Sequence, residues 1–139
     1  MSAVIDHMRK VPLFRDMTTS ALETVADRAS ETTFTDGETV TREGEPGDTF
    51  YIVTAGRLRV SKHGTFVRDL GPGDFLGEIA LVDGGPRTAT VTADGPVEAL
   101  VIRRADFLEM VEWDKAVRLG ILTALTERIR KTDPGDILD

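Results

Sequence analysis

The chain has no cysteine and only two histidines among its 139 residues, and these absences close several chemical routes. Without cysteine there is no disulfide, no thiolate nucleophile and no cysteine-ligated zinc. A reducing compartment fits, with the cytoplasm as the expected location. His7 and His63 sit in unlike contexts, so no metal site is expected. His63, followed by Gly64, reads as a hairpin-turn residue. Ser2, Ser20 and Ser30 have no base beside them in sequence. Asp74, Glu78 and Asp83 each have a more economical reading than acid–base catalysis. No catalytic residue and no cofactor is expected.

Positive charge is outnumbered, with 17 Lys and Arg against 24 Asp and Glu. A net charge of −7 argues against nonspecific binding to nucleic acid or anionic lipid, which draws on clustered Lys and Arg. The small basic groups, Arg9, Lys10 and Arg15 near the start and Arg128, Arg130 and Lys131 near the end, read as solvated faces and helix C-terminal charges. No run approaches the roughly 18 apolar residues of a membrane span, and residues 1–15 mix charge with apolar residues and lack the continuous apolar centre of a secretion signal.

What is present is an ordinary globular composition, 40% hydrophobic and 29% charged, in a chain suited to one domain. Val4, Ile5, Met8 and Val11 suggest a short helix ending near Pro12. Ser20-Ala-Leu-Glu23 reads as a capping box, followed by a helical face of Leu22, Val25, Ala26 and Ala29. From Thr32 to Arg103 the pattern changes to short β-rich runs: Thr32 to Thr35, Thr39 to Arg42, Thr49 to Ala55, Leu58 to Lys62, Thr65 to Leu70, Thr88 to Ala93 and Val97 to Arg103. Asp36-Gly37, Pro46-Gly47-Asp48, His63-Gly64 and Asp94-Gly95-Pro96 punctuate them as turns. Many short strands at this spacing imply a barrel or jelly roll.

The last third returns to helix. A short amphipathic segment covers Ala105 to Val111. A longer one runs from about Lys115 to Lys131, with Val117, Ile121, Leu125 and Ile129 as its apolar stripe and Leu122 beside it. Trp113 reads as a packing residue at the junction of the two, and Gly120 as a point of close approach. Asp133-Pro134-Gly135 ends the helix, leaving residues 133–139 as a tail.

Phe75 to Val91, FLGEIALVDGGPRTATV, carries the chemistry. Glu78-Ile79-Ala80-Leu81-Val82 can form one or two helical turns, whose unpaired N–H groups would seat an anion. Gly77 lets a ligand approach the backbone, and Asp83-Gly84-Gly85-Pro86 turns the chain into Arg87. A guanidinium there can fork onto two phosphate oxygens, Glu78 can accept from a sugar hydroxyl, and Thr88 adds a hydroxyl. Taken singly, Glu78 and Arg87 read equally well as a structural ion pair.

Together these residues resemble the phosphate-binding cassette of the cyclic nucleotide-binding domain family, the module of protein kinase A regulatory subunits, cyclic-nucleotide-gated channels and bacterial catabolite activator proteins. The resemblance extends through Val11-Pro-Leu-Phe14, Phe34-Thr-Asp-Gly37, Arg42-Glu-Gly-Glu-Pro-Gly-Asp48, Phe50-Tyr-Ile52, Ala55-Gly56 and Leu70-Gly-Pro-Gly-Asp74, in the expected order. It implies a mainly β protein: a double-stranded β-helix or jelly-roll β-roll with an N-terminal helical element and C-terminal B and C helices. The matching divisions are residues 1–30 for the N-terminal helices, 31–103 for the β-roll with cassette 75–91, and 104–132 for the C-terminal helices, one domain spanning 1–132. The same β-fold hosts metal-dependent cupin enzymes, whose histidine-rich motif is absent.

The resemblance also implies roles. Glu78 would accept the ribose 2′-hydroxyl, Arg87 would pair with the cyclic phosphate, and the backbone at Gly77, Ile79 and Ala80 would donate N–H groups. Thr88 resembles a threonine that holds guanine in cyclic GMP-dependent kinases, yet bacterial cyclic AMP receptors often have serine or threonine there. Family prevalence favours cyclic AMP over cyclic GMP. A lid over the base is expected from the last helix, with Leu122, Thr123 and Thr126 as candidates, Arg130 further along and Trp113 at its start. The expected function is a noncatalytic sensor that reports occupancy by moving its C-terminal helix to an unidentified effector. Taken as a whole protein, the chain has no helix-turn-helix of adequate length after its β region, so a catabolite-activator-type transcription factor is not expected. The alternatives are a regulatory piece of a larger enzyme, transporter or channel, or a nucleotide-independent interaction module that uses the last helix to form a homodimer.

Overall fold

The computed structural model describes residues 2–11, 14–77 and 85–131. Two short helices come first, α1 (Ser2–Arg9) and α2 (Thr19–Arg28). Six strands follow: β1 (Ser30–Phe34), β2 (Thr39–Thr41), β3 (Thr49–Lys62), β4 (Thr65–Leu70), β5 (Phe75–Leu76) and β6 (Thr90–Arg103). Two further helices, α3 (Arg104–Trp113) and α4 (Lys115–Lys131), close the described chain.

The spine of the molecule is the antiparallel pair β3 and β6, in register from Thr49 opposite Arg103 to Ser61 opposite Thr90. Shorter strands extend it at both ends. β1 and β2 pair with different stretches of β6, while β5 and β4 pair with different stretches of β3. The result is the mainly antiparallel β-roll with flanking helices implied by the sequence.

The spine corrects one expectation. Thr49 to Lys62 and Thr90 to Arg103 are each a single strand, where the sequence pattern gives runs that stop at Ala55, before Gly56, and at Ala93, before the turn residues Asp94-Gly95-Pro96. Gly56 has φ 89° and Gly95 has φ 85°, a left-handed backbone that glycine adopts without steric cost. The chain uses it for bulges rather than for reversals, and the register shifts at Val53/Ala55 and Ala55/Arg57. A β-carbon on Gly56 would collide with the Pro96 carbonyl, so glycine is required where the strands cross.

The bulges also re-aim side chains. Before them, Phe50 and Ile52 face the helices with Leu100 and Ile102, and Val53, on the opposite side of the strand, faces the interior of the roll; beyond them the alternation is switched, and Leu58 and Val60 face that interior with Val91, Ala93 and Val97. One chain thereby contributes to two apolar cores, which the alternation rule alone does not anticipate. Met8, Val11, Phe14, Leu22, Val25, Phe107, Met110, Val117 and Ile121 complete the core under the helices. Phe14 meets Phe50 edge to face at 5.7 Å, and Phe50 lies 5.9 Å from Phe75. Each fully buried side chain of this size stabilises the fold by about 1.5–3 kcal/mol.

The helices depart from expectation at two points. α2 is capped by Thr18, whose Oγ1 accepts from the Ala21 N–H at 3.1 Å, and Ser20 lies inside the helix. Three hydroxyl residues precede the apolar face, and the first provides the cap, lengthening the helix at its start. Trp113 is 80% exposed and does not pack at the helix junction. Phe107 and Met110 form the buried face of α3, and residue 113, six positions after Phe107, lies about 120° round the helix from it. At that junction Asp114 Oδ1 accepts from the Val117 N–H, and Arg118 Nη1 donates to the carbonyls of Val111 and Glu112. Gly120 is a point of close approach: a β-carbon there would stand 2.6 Å from Met17 Cγ. Of the apolar stripe, Val117 and Ile121 are buried; the side chains of Leu125 and Ile129 lie outside the described residues, as do Pro12 and the tail.

Candidate functional site

Arg87 is placed by its backbone before its side chain does anything. Gly44 N–H donates to the Arg87 carbonyl and Arg87 N–H to the Glu45 carbonyl, both at 2.8 Å. Pro46 and Pro86 form an adjoining antiparallel bridge. Two loops, one entering β3 and one entering β6, are thus zipped together, and Arg87 is laid over the start of β3.

The guanidinium is then fixed from three sides. Nη2 donates to Thr49 Oγ1 at 2.7 Å. Gly47 lies flat against the side chain, where a β-carbon would collide with Nε and come within 2.7 Å of Cδ. Gly77, with φ 91°, closes the remaining side, and a β-carbon there would stand 2.6 Å from both Nη1 and the Thr49 carbonyl. The two glycines make the pocket by lacking side chains.

Nη1 is buried and has no hydrogen-bond partner among the described residues. No carboxylate lies within salt-bridge distance of Arg87 among them, although the fields of Tyr51 and Asp48 act on it. Burial lowers the guanidinium pKa, and Tyr51 and then Asp48 partly oppose that. The group stays cationic at neutral pH. A half-buried cation with a donor left unpartnered among the described residues is a seat for an anion, which would supply the charge and the acceptor that burial has removed.

Of the residues singled out in the sequence, Gly77 and Arg87 are brought together. Thr88, directly after Arg87, is exposed. Glu78, Ile79 and Ala80, with the helical turns expected over 78–82 and the turn at Asp83-Gly84, lie outside the described residues. The ion-pair alternative for Glu78 and Arg87 falls there too. Leu122, Thr123 and Thr126 are exposed on α4, where Thr126 Oγ1 donates back to the Leu122 carbonyl at 2.8 Å. That helix packs on α2 and α3.

Sequence reasoning missed Thr49, Gly47 and Glu45. Pro46-Gly47-Asp48 reads in sequence as a turn and as one of the motifs of the resemblance, with no role at the pocket, and Thr49 is 38 residues from Arg87. Asp74 does have its expected turn role, its Oδ2 accepting from the Gly71 N–H at 2.8 Å. No group of three or more His, Asp or Glu able to hold a metal occurs among the described residues, and no helix among them is long and apolar enough to cross a membrane.

Comparison with known proteins agrees with this fold. The family model described as Cyclic nucleotide-binding domain matches residues 31–114. Over 115 residues, 76% of this chain, the sequence is 37% identical to the cGMP-dependent protein kinase, isozyme 2 forms cD5/T2, of Drosophila melanogaster, of whose length it spans 12%. It is 36% identical over 110 residues, 73% of its length, to the cAMP-dependent protein kinase regulatory subunit of Dictyostelium discoideum, of which it spans 34%. The crystal structure of the N-terminal domain of a transcriptional regulator from Streptomyces coelicolor A3(2) superimposes with a TM-score of 0.86 at 32% identity, over 92% of this chain and 95% of that one.

Proposed function

The chain belongs to the cyclic nucleotide-binding domain family, and we propose that it is a noncatalytic cytoplasmic sensor in which Arg87 holds the cyclic phosphate of cyclic AMP or cyclic GMP. The observation that carries this reading is the buried Nη1 of Arg87, which has no partner among the described residues and lies beside Gly77. In this role Arg87 neutralises the phosphate, while N–H groups at Gly77, Ile79 and Ala80 complete the anion seat. Glu78 accepts from the ribose 2′-hydroxyl.

Base identity rests on less. The two kinase-related sequences differ in the nucleotide their names carry, and identities of 37% and 36% do not separate them. Thr88 is exposed next to Arg87 and is available to either base. We favour cyclic AMP on family prevalence, with Leu122, Thr123 and Thr126 of α4 as the lid.

Output through the helices has a physical basis in the aromatic contacts. Phe50 follows Thr49 in β3, and it packs on Phe75 near Gly77 and on Phe14 under the helices. A ligand that draws Gly77 toward Arg87 therefore bears on the same core that seats α4. It shifts that helix only by its differential affinity for the two arrangements. The recipient of the signal is an effector domain or protein.

The test is calorimetric titration of cyclic AMP, cyclic GMP and their 2′-deoxy analogues. Saturable binding of one parent nucleotide, with affinity reduced at least about tenfold for its 2′-deoxy form, is expected from the lost charge-assisted hydrogen bond. Equal affinity for the deoxy form would remove Glu78 from the ribose.

A further inference from the structure

Glu43 stands outside the pocket yet ties together the parts that place Arg87. Its Oε1 accepts from the backbone N–H of His63 at 2.9 Å, and its Oε2 lies 3.1 Å from His63 Nδ1. His63 and Gly64 both have positive φ, 52° and 77°, the two-residue turn that joins β3 to β4. The carboxylate therefore grips a rigid hairpin tip through two atoms.

The backbone of the same residue faces the other way. Glu43 N–H donates to Thr90 Oγ1 at 3.0 Å; the next residue, Gly44, donates to the Arg87 carbonyl, and Glu45 accepts from Arg87 N–H. Thr41 Oγ1 adds a bond to the Ala89 carbonyl at 3.1 Å. Residues 41–45 are thus laced to 87–90 on one side, and the Glu43 side chain anchors that lace to the hairpin on the other.

We infer that Glu43 is a positioning residue for the phosphate site, holding the Gly44–Glu45 backbone, and through it Arg87, in the geometry that an anion needs. This rests on the reading of Arg87 as the phosphate ligand. Glu43 touches no ligand in this arrangement. A small misplacement of a charge-binding group is costly, because oriented charge-assisted hydrogen bonds lose strength steeply with angle and distance.

The experiment is calorimetric titration of cyclic AMP and cyclic GMP into the 139-residue chain as wild type, Glu43→Ala, Glu43→Gln and Asp94→Ala. It is combined with NMR of the Arg87 backbone amide and Nε–H in the ligand-free protein. Asp94 pairs with Arg57 at 2.8 Å on the same sheet without reaching Arg87, so its variant controls for general loosening. Glu43→Ala is expected to weaken binding about tenfold and to shift the Arg87 resonances. Glu43→Gln keeps an acceptor for His63 N–H, so it and Asp94→Ala should stay within about twofold of wild type. If Glu43→Ala fails to fold, Glu43→Asp, one methylene short of the hairpin, takes its place with the same expectation. Wild-type affinity in Glu43→Ala, or an equal loss in Asp94→Ala, would overturn the role of Glu43 alone. Failure of the wild-type chain to bind either nucleotide would overturn the functional reading as well.

Discussion

The guanidinium of Arg87 donates to the hydroxyl of Thr49 at 2.7 Å, across 38 residues of sequence. A hydroxyl acceptor at this position orients the cation without cancelling its charge, which a carboxylate there would do. Orientation and charge are therefore supplied by different residues.

Replacing Thr49 by valine keeps the shape and removes the acceptor. Hydrogen bonds to charged groups are worth about 1.5–3 kcal/mol, so Thr49→Val should weaken cyclic nucleotide binding about tenfold or more. Thr49→Ser should bind nearly as wild type. Calorimetry on the two variants checks this, and equal affinities would deny Thr49 an orienting role.

Gly77→Ala should damage fold and site together. An L-residue held at left-handed φ costs roughly 1–2 kcal/mol, and the new methyl would press on Arg87 Nη1 and the Thr49 carbonyl, both at 2.6 Å. Chemical denaturation should show a loss of at least that size, with binding reduced more than the stability change explains. A variant that binds and unfolds like wild type would show that the glycine is not needed there.

Gly120 poses a contest between local and tertiary terms. Alanine would gain about 1 kcal/mol of helix propensity, but its methyl would meet Met17 Cγ at 2.6 Å. Met17 is buried and the near atom is not its flexible end, so overpacking of about 1–3 kcal/mol should win. Gly120→Ala is expected to be destabilised in denaturant melts; a net gain would mean that Met17 swings aside freely.

Arg28 of α2 donates through both Nη atoms to Glu109 of α3, at 3.1 and 3.2 Å. The hydrogen bond to Arg28, and then its charge, hold the Glu109 carboxyl below its ordinary value of 4.5. A depressed folded-state pKa gives stability that is fully present above the unfolded value and is lost as pH falls through the folded one. Glu109→Gln should therefore lower the melting temperature slightly at neutral pH, and the difference should shrink as pH falls through and below the folded-state pKa of Glu109. The pair is exposed, so the difference is small; a difference that persists in acid would have another source.

Much of this architecture was legible in sequence because it depends on local chemistry. Helical spacing marked Val117 and Ile121 as core, His63-Gly64 marked the hairpin, and the glycine and arginine of the cassette do meet. What escaped depends on contacts distant in sequence. Gly56 reads as a break until Pro96 is seen pressed against it. Thr49 carries no local signal for Arg87, and Trp113 has the apolar surface of a packing residue, whereas its place on α3 leaves it 80% exposed. Thr18 lost to Ser20 because three hydroxyl residues in a row offer competing caps and only helix length decides among them. The roles of Glu78, Ile79 and Ala80 rest on resemblance.

The most direct measurement is the shift in thermal stability of the wild-type chain and of Arg87→Ala with cyclic AMP or cyclic GMP at about 100 times the dissociation constant. Binding to the folded state alone should stabilise the wild type by about 2.7 kcal/mol and leave Arg87→Ala, folded in the absence of ligand, unshifted at the same concentration. No shift of the wild type with either nucleotide, or an equal shift in Arg87→Ala, would contradict the assignment of this pocket to a cyclic phosphate.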